Sequence, residues 1–296
     1  MIAASPPRPC PPVPLRPRTL RVTEIETWLA DPYAIYARHL LGLKALDPID
    51  MDPGAAERGT MIHRALDRFV ADHPPPGPLP ADAVDLLLAH GRTALADLLR
   101  RPIVRAFWWP RFERIAEWFL AEEAPRRLDI VESHTECSGL WTLDGPAGPF
   151  RLAGRADRID RLRGGEAAII DYKTGGVPAK AAVERGRAPQ LPLEAAMVAA
   201  GAFAGVPQGP VSHLAYWRLS GAAPAGEILP VATMRDQVEA LAADARDGLA
   251  ELIARFDDPA TPYLAQPRPD WVPRFSDYAH LARVGEWGDG AGEGEE

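Results

Sequence analysis

The chain has 296 residues, 47% of them hydrophobic and 25% charged, a composition ordinary for a globular protein and a length sufficient for one large domain or two modest ones. Its formal net charge of −8 disfavours a broad phosphate-binding face, although part of that acidity is local to the C-terminus. Two cysteines, Cys10 and Cys137, exclude a cysteine-rich metal centre, fit a reducing compartment, and together with the lack of an apolar leader or a membrane-length apolar run point to a cytoplasmic protein.

Residues 1–19 form a proline-rich arm, and because proline fixes φ and donates no hydrogen bond the arm reads as an extended linker. Thr23-Glu24-Ile25-Glu26 has the form of a capping box and predicts a short helix with Ile25, Trp28 and Leu29 inward. Asp31-Pro32 predicts a second helix start, with Asp31 as N-cap and Pro32 in the first turn. Over 58–70, Met61, Ile62, Ala65, Leu66 and Phe69 recur at helical spacing. Two more amphipathic helices are predicted over 81–99 and 107–124. Beyond Pro125 the pattern changes, and 128–137, 141–143, 150–162 and 167–173 read as strands separated by Gly- and Pro-containing turns. Helix returns from Ala188 and runs through Leu193 to Phe203, a strand follows over 211–219, and a long helix over 234–256. Residues 286–296 carry five acids and no base and read as a disordered tail. This order gives an α/β fold, with a helical subdomain over 20–125 and a core with a C-terminal extension over 126–285.

The chemistry concentrates in Gly154-Arg155-Ala156-Asp157 and in Asp171-Tyr172-Lys173, which closes the apolar lead-in Ile169-Ile170. Side chains alternate along a strand, so Asp171 and Lys173 share a face. A carboxylate there can hold a hard divalent cation, and the amine beside it can steady or activate an attacking water. Asp157 becomes a second ligand if its strand pairs antiparallel with that of Asp171. A three-residue loop, Arg163-Gly164-Gly165, puts Leu162 opposite Glu166 and Asp157 opposite Asp171. A two-residue loop would slip the register and turn Asp157 to the other face. Taken alone, the three residues also read as an ordinary solvated strand end.

Gly-x-x-Asp, then Asp-Tyr-Lys, then Gln190-Leu191-Pro192-Leu193 resembles the RecB-like branch of the PD-(D/E)XK nucleases, and Arg58-Gly59-Thr60-Met61-Ile62-His63 is similar to that branch's upstream helix. Val22 to Trp28, Asp31-Pro32-Tyr33, Gly154 to Asp160 and Tyr278-Ala279-His280-Leu281-Ala282-Arg283 resemble the C-terminal nuclease region of the AddB family, subunits of AddAB helicase–nucleases. The resemblance implies a restriction-endonuclease-like mixed sheet flanked by helices. It implies Asp157, Asp171 and His63 as metal contacts, Lys173 as the catalytic lysine, and Gln190 as a residue that orients water or DNA. It further implies Mg2+ or Mn2+ as cofactor, single-stranded DNA as substrate, and an AddA-like partner in recombinational repair of double-strand breaks.

Two departures stand out. Asp31 and the C-terminal segment lack the cysteines by which many members hold an iron–sulfur cluster, so no cluster is expected and helix packing must fasten the N-terminal helices to the C-terminal part. The tyrosine that usually follows the glutamine by four residues is Glu194 here. No Gly-x-x-x-x-Gly-Lys-Ser/Thr segment occurs, so no ATP site of that type is expected. Arg155, Arg158, Arg185 and Arg187 are candidate phosphate contacts, Tyr172 and Trp217 candidate stacking platforms, and Glu136 a possible extra acid whose spacing alone says little. A catalytically degenerate nuclease fold that binds DNA or docks a subunit is the competing reading. A second is an interaction domain using Trp108, Trp109, Phe112 and Trp118.

Overall fold

The computed structural model describes residues 5–44, 54–96, 98–271 and 276–287. Thr19–Arg21 forms a short strand, β1, that runs directly into helix α1 (Val22–Ala30). The capping residues are therefore Arg21 and Glu24 rather than Thr23 and Glu26: the Glu24 carboxylate accepts the Arg21 backbone N–H at 2.9 Å. Helix α2 (Pro32–Ile35) has Asp31 at its N-cap and Pro32 in its first turn, as expected from the sequence. Helices α3 (Ala55–Asp72), α4 (Ala83–Ala94) and α5 (Trp109–Arg126) follow. Helix α4 ends before residue 99 because Leu98–Arg100, close ahead of Pro102, tightens into a 3-10 turn.

The strands are β2 (Ile130–Gly145), β3 (Gly148–Leu162), β4 (Ala167–Lys173), β5 (Val211–Leu219) and β6 (Gly226–Ala232). Between β4 and β5 lie α6 (Lys180–Glu184) and α7 (Gln190–Ala199), and α8 (Arg235–Asp257) follows β6. β2 is continuous where the sequence suggested two strands. The glycine responsible, Gly139, allows a neighbouring loop to lie against the strand, since a Cβ there would sit 2.9 Å from the Ala202 carbonyl oxygen. β6 carries Pro230 and lies at the edge of the sheet, where a missing donor is tolerated.

The six strands form one mixed sheet. β2 runs antiparallel along one edge of β3. The other edge of β3 meets β1 in parallel at residues 151–153 and β4 antiparallel at residues 158–161, so the register pairs break off between Ala153 and Arg158. Beyond β4 come β5, parallel, and β6, antiparallel. Ile159, Ile169, Leu214 and Tyr216 pack beneath residues of α1, α7 and α8, while Ile170, Tyr172, Trp217 and Leu219 pack against α3, α4 and α5 on the opposite face. The result is a sheet covered by helices on both sides.

The proline arm, read from the sequence as extended, includes a 3-10 turn at Val13–Leu15 and is tied down at Pro9 and Arg16. The Tyr263 N–H donates to the Pro9 carbonyl at 2.8 Å, and buried Arg16 donates to the carbonyls of Phe256 at 2.8 Å and Asp258 at 2.9 Å. From residue 288 onward the expected acidic tail lies outside the described residues. No helix among the described residues is long and apolar enough to cross a membrane.

At the position of the missing cysteine, the Asp31 carboxylate accepts the Gln266 N–H at 3.3 Å and the Ser276 hydroxyl at 3.1 Å. Tyr33, Ala34, Ala37, Ala265, Tyr278 and Ala282 form a small apolar cluster around this junction. A hydrogen-bonded carboxyl and this cluster thus tie the N-terminal helices to the C-terminal segment. Asp31→Ala strands the Gln266 and Ser276 donors and is expected to cost about 1–3 kcal/mol in urea unfolding. Burial raises the Asp31 pKa against these hydrogen bonds, so a neutral acceptor suffices and Asp31→Asn should lose much less.

Candidate active site

The hairpin between β3 and β4 sets the geometry. Leu162 N–H donates to the Glu166 carbonyl at 2.8 Å, Gly165 N–H donates to the Leu162 carbonyl at 2.9 Å, and Gly165 sits at φ +87°. The loop is Arg163-Gly164-Gly165, with glycine in the left-handed position that such a loop requires. The paired register ends at Arg158 and Ile170, and its next step places Asp157 opposite Asp171. There the ladder gives way to a side chain: the Asp157 Oδ2 accepts the Tyr172 N–H at 2.8 Å.

Asp171 is 3% exposed, and the Lys173 ammonium lies 2.7 Å from its Oδ2. Gln190 opens α7 above this pair. Its Nε2 donates to Asp171 Oδ1 at 2.5 Å, and its Oε1 accepts from Lys173 Nζ at 3.1 Å. His63 arrives from α3, with its Nδ1 3.3 Å from Asp157 Oδ1 and its ring edge-on to Tyr172 at 5.8 Å. All five residues singled out in the sequence therefore converge at the break in the β3 edge.

Two further acids join them. Glu136, His63 and Asp157 each offer a ligand atom within 4.8 Å of the others. The β2–β3 turn is Pro146-Ala147, and counting back from the Gly145–Gly148 pair puts Glu136 opposite Asp157, so the sequence did contain this signal. The residue sits at φ +50°, a conformation uncommon for a residue with a side chain, and it forms an ion pair with Arg155. Glu194, one turn after Gln190 on α7, is 1% exposed and accepts from Gln190 Nε2 at 3.2 Å.

Other expectations need correction. Arg158 is fully buried in an ion network and cannot reach a phosphate; Trp217 and Tyr172 are 1% and 3% exposed, filling the core instead of offering stacking faces. Phe112 is buried in the α3–α4–α5 core, and Trp118 packs edge-on against Trp217 at 5.4 Å. Arg187 lies over the Trp271 ring at 4.8 Å. Arg155 remains on the wall of a cavity of about 260 Å³ lined also by Thr60, His63, Arg64, Asp67, Glu136 and Asp157.

The electrostatics show an excess of carboxylate. Burial, reinforced by Asp157 and opposed by Lys173, pushes Asp171 up to about 6. Burial also raises Glu136 against Arg155, and burial together with Asp171 drives Glu194 well above the ordinary range. For the cations the balance reverses. Burial alone would depress His63 and Lys173, but Asp157 in the first case and Asp171 in the second outweigh it, so both are raised. Carboxylates that resist ionisation, grouped with an imidazole, fit a hard divalent cation, which supplies the positive charge that this set lacks.

Opposed carboxylates beside a lysine, at an opening in a mixed sheet, are the layout of a hydrolytic nuclease. The family model of the PD-(D/E)XK nuclease superfamily matches residues 19–266, and the chain belongs to that superfamily; its mixed sheet between helical layers is the restriction-endonuclease-like fold. An uncharacterized protein, RC0550, of Rickettsia conorii is 30% identical over 189 residues, which are 63% of this chain and 23% of that protein. Uncharacterized proteins of Rickettsia bellii and Rickettsia typhi are each 29% identical, over 187 and 195 residues, covering 63% of this chain and 22% of theirs. The chain thus spans less than a quarter of the length of these relatives. A crystal structure of SSO0001 aligns with 78% of this chain and 76% of its own at 14% identity, with a TM-score of 0.30.

Proposed function

We propose that this chain is a magnesium-dependent deoxyribonuclease that hydrolyses single-stranded DNA, with manganese able to substitute. The observation that carries the reading is the opposition of Asp157 and Asp171 with Lys173 and His63 against them. Asp157, Asp171 and His63 would hold the cation, and Glu136 could contribute a further oxygen. Bound there, the cation supplies Lewis-acid polarisation of the phosphodiester and a more acidic water. Because the Lys173 pKa is raised, it is an ammonium at neutral pH, which makes it a donor and a positive charge near the phosphate rather than a base. Two of its three N–H donors face Asp171 and Gln190, leaving one for a substrate oxygen.

Cleavage of an end-labelled single-stranded oligonucleotide tests the reading. Cutting is expected with Mg2+ or Mn2+ and not in a chelator, and faster on single strands than on duplex. Binding without cutting under every cation condition would instead favour the degenerate fold that only binds DNA. The sequence resemblance and the much greater length of the relatives support a larger setting: the nuclease region of an AddAB-type helicase–nuclease, working with an AddA-like subunit on broken ends during recombinational repair.

The pKa directions give a further expected result. Cation binding needs Asp171 ionised and His63 neutral. Asp171 takes up a proton as pH falls through about 6, and His63 with its raised pKa charges above its ordinary range. Both changes oppose the cation on acidification. Isothermal titration with Mn2+ should show affinity at least about ten-fold weaker at pH 5.5 than at pH 8. An affinity independent of pH would remove both residues from the cation site.

A further inference from the structure

We infer that Glu194 is a positioning residue of this site, its buried carboxyl fixing which way round the Gln190 amide lies and, through that amide, where the Lys173 ammonium sits. The consequence for cleavage rests on the proposed nuclease activity; the geometric claim does not.

Helix α7 is apolar apart from two residues. Leu191, Pro192, Leu193, Ala195, Ala196, Met197 and Val198 are all buried, and Gln190 and Glu194, one turn apart, face the strand end together. A carboxyl in such surroundings is costly to bury, and among the described residues only its Oε1 is hydrogen-bonded, while Oε2 meets no partner. Nothing in the packing of α7 calls for an acid here.

What it does contact is the amide that organises the site. The Gln190 Nε2 faces two carboxyl oxygens, Asp171 Oδ1 at 2.5 Å and Glu194 Oε1 at 3.2 Å, and its Oε1 faces Lys173 Nζ at 3.1 Å. Flipping the amide would turn its oxygen toward Asp171 Oδ1 and its NH2 toward the ammonium, two repulsive contacts, and would take from Glu194 Oε1 the hydrogen bond it accepts. Asp171 alone is a poor anchor, because its oxygens are also wanted by Lys173 and by a cation. Glu194 has no such competing duty. It holds the Nε2 end on the α7 side, so that Oε1 stays turned toward Lys173.

The chain contains three lysines, Lys44, Lys173 and Lys180, so isotope-labelled lysine gives a side-chain nitrogen spectrum in which Lys173 can be followed directly. Glu194→Met should move the Lys173 resonance and slow single-turnover cleavage by about ten-fold with little change in DNA affinity. Glu194→Gln keeps a carbonyl acceptor and should restore both toward the wild type. In a Gln190→Ala background, Glu194→Met should add nothing. The proposal is overturned if Glu194→Met matches the wild type in resonance and rate, if Glu194→Gln is as impaired as Glu194→Met, or if the effects of the two sites add. Gln190→Ala alone must also move the Lys173 signal, and an indifferent signal overturns the proposal even if Glu194→Met does not fold. A wild type that never cuts DNA, yet whose Lys173 resonance responds as described, would sink the nuclease reading and leave this one standing.

Discussion

Asp171→Asn is expected to reduce metal-dependent cleavage by about a thousand-fold or more, while leaving the protein folded and, without divalent cations at pH 7.5, at least as stable as the wild type. The rate loss follows from removing the charge that faces Lys173 on the cation side of the site. The stability follows from the sign of the pKa shift. Asp171 holds its proton more tightly folded than unfolded, with a folded value of about 6. Its stabilising contribution is therefore complete only below the unfolded value of about 3.9 and is lost as pH rises through about 6. At neutral pH the ionised group opposes folding, and a neutral amide of the same shape relieves that cost, offset in part by the Lys173 partner it deprives. A bound cation should relieve it too. At a hundred-fold excess over its dissociation constant, Mg2+ adds about 2.7 kcal/mol to the wild type, or a melting-temperature rise of about 5 °C, and much less to Asp171→Asn. Thermal melts of both proteins, with and without Mg2+, measure this directly. Retention of cleavage within ten-fold of the wild type would remove Asp171 from the site.

Why the opposition of Asp171 and Asp157 was legible in the sequence, and the role of Glu194 was not, comes down to the range of the forces involved. The opposition of the two aspartates is fixed by a local event, a three-residue turn ending in Gly165, and strand alternation then places Lys173. His63 and Gln190 lie on helices that approach from opposite faces of the sheet, and no periodicity in α3 or α7 announces that their tips meet the same strand end; only resemblance to known nucleases pointed to them. Glu136 lies between these cases. Its register followed from the Pro146-Ala147 turn, but its left-handed backbone breaks the regular alternation that a sequence reading relies on. Strands β1 and β6 escaped notice because one is three residues long and the other contains a proline. Helix α1 was found, with its start displaced, because Glu24 and Glu26 both offer a plausible capping acid and the choice is made by where β1 ends.

Arg158 illustrates the opposite failure. Beside Asp157 in a polar run it looks like a phosphate contact, yet alternation turns it to the other face, where α5 supplies Glu123. Its guanidinium donates to both Glu123 oxygens, at 2.8 and 2.9 Å, and to Asp160 at 2.7 Å. Asp160 also accepts from Ser133 at 2.5 Å and Arg126 at 2.9 Å. Arg158, Glu123 and Asp160 are each wholly buried. Arg158→Met removes the cation that hydrogen-bonds both buried carboxylates, leaving Glu123 to Arg126 and Arg127 at 3.6 and 3.5 Å and Asp160 to Arg126 at 2.9 Å, and is expected to cost about 3 kcal/mol in urea unfolding. Replacing the set together, as Arg158→Met with Glu123→Leu and Asp160→Leu, should recover only part of that loss, since Arg126 and the buried Arg127 then lose the carboxylates they pair with. The pH dependence separates this from simple loss of packing. Burial would raise the Asp160 pKa, but Arg158 and Arg126 outweigh it and hold it below the ordinary range. Asp160 therefore stabilises the fold above its unfolded value, about 3.9, and that stability is lost as pH falls through the lower folded value. Unfolding profiles of the wild type should steepen on acidification, and those of Arg158→Met should flatten. Identical profiles would show that the network contributes volume and not charge. The same substitution should also slow cleavage, because Arg158 is the last paired residue of β3 before Asp157 and anchors the strand end that sets Asp157 opposite Asp171.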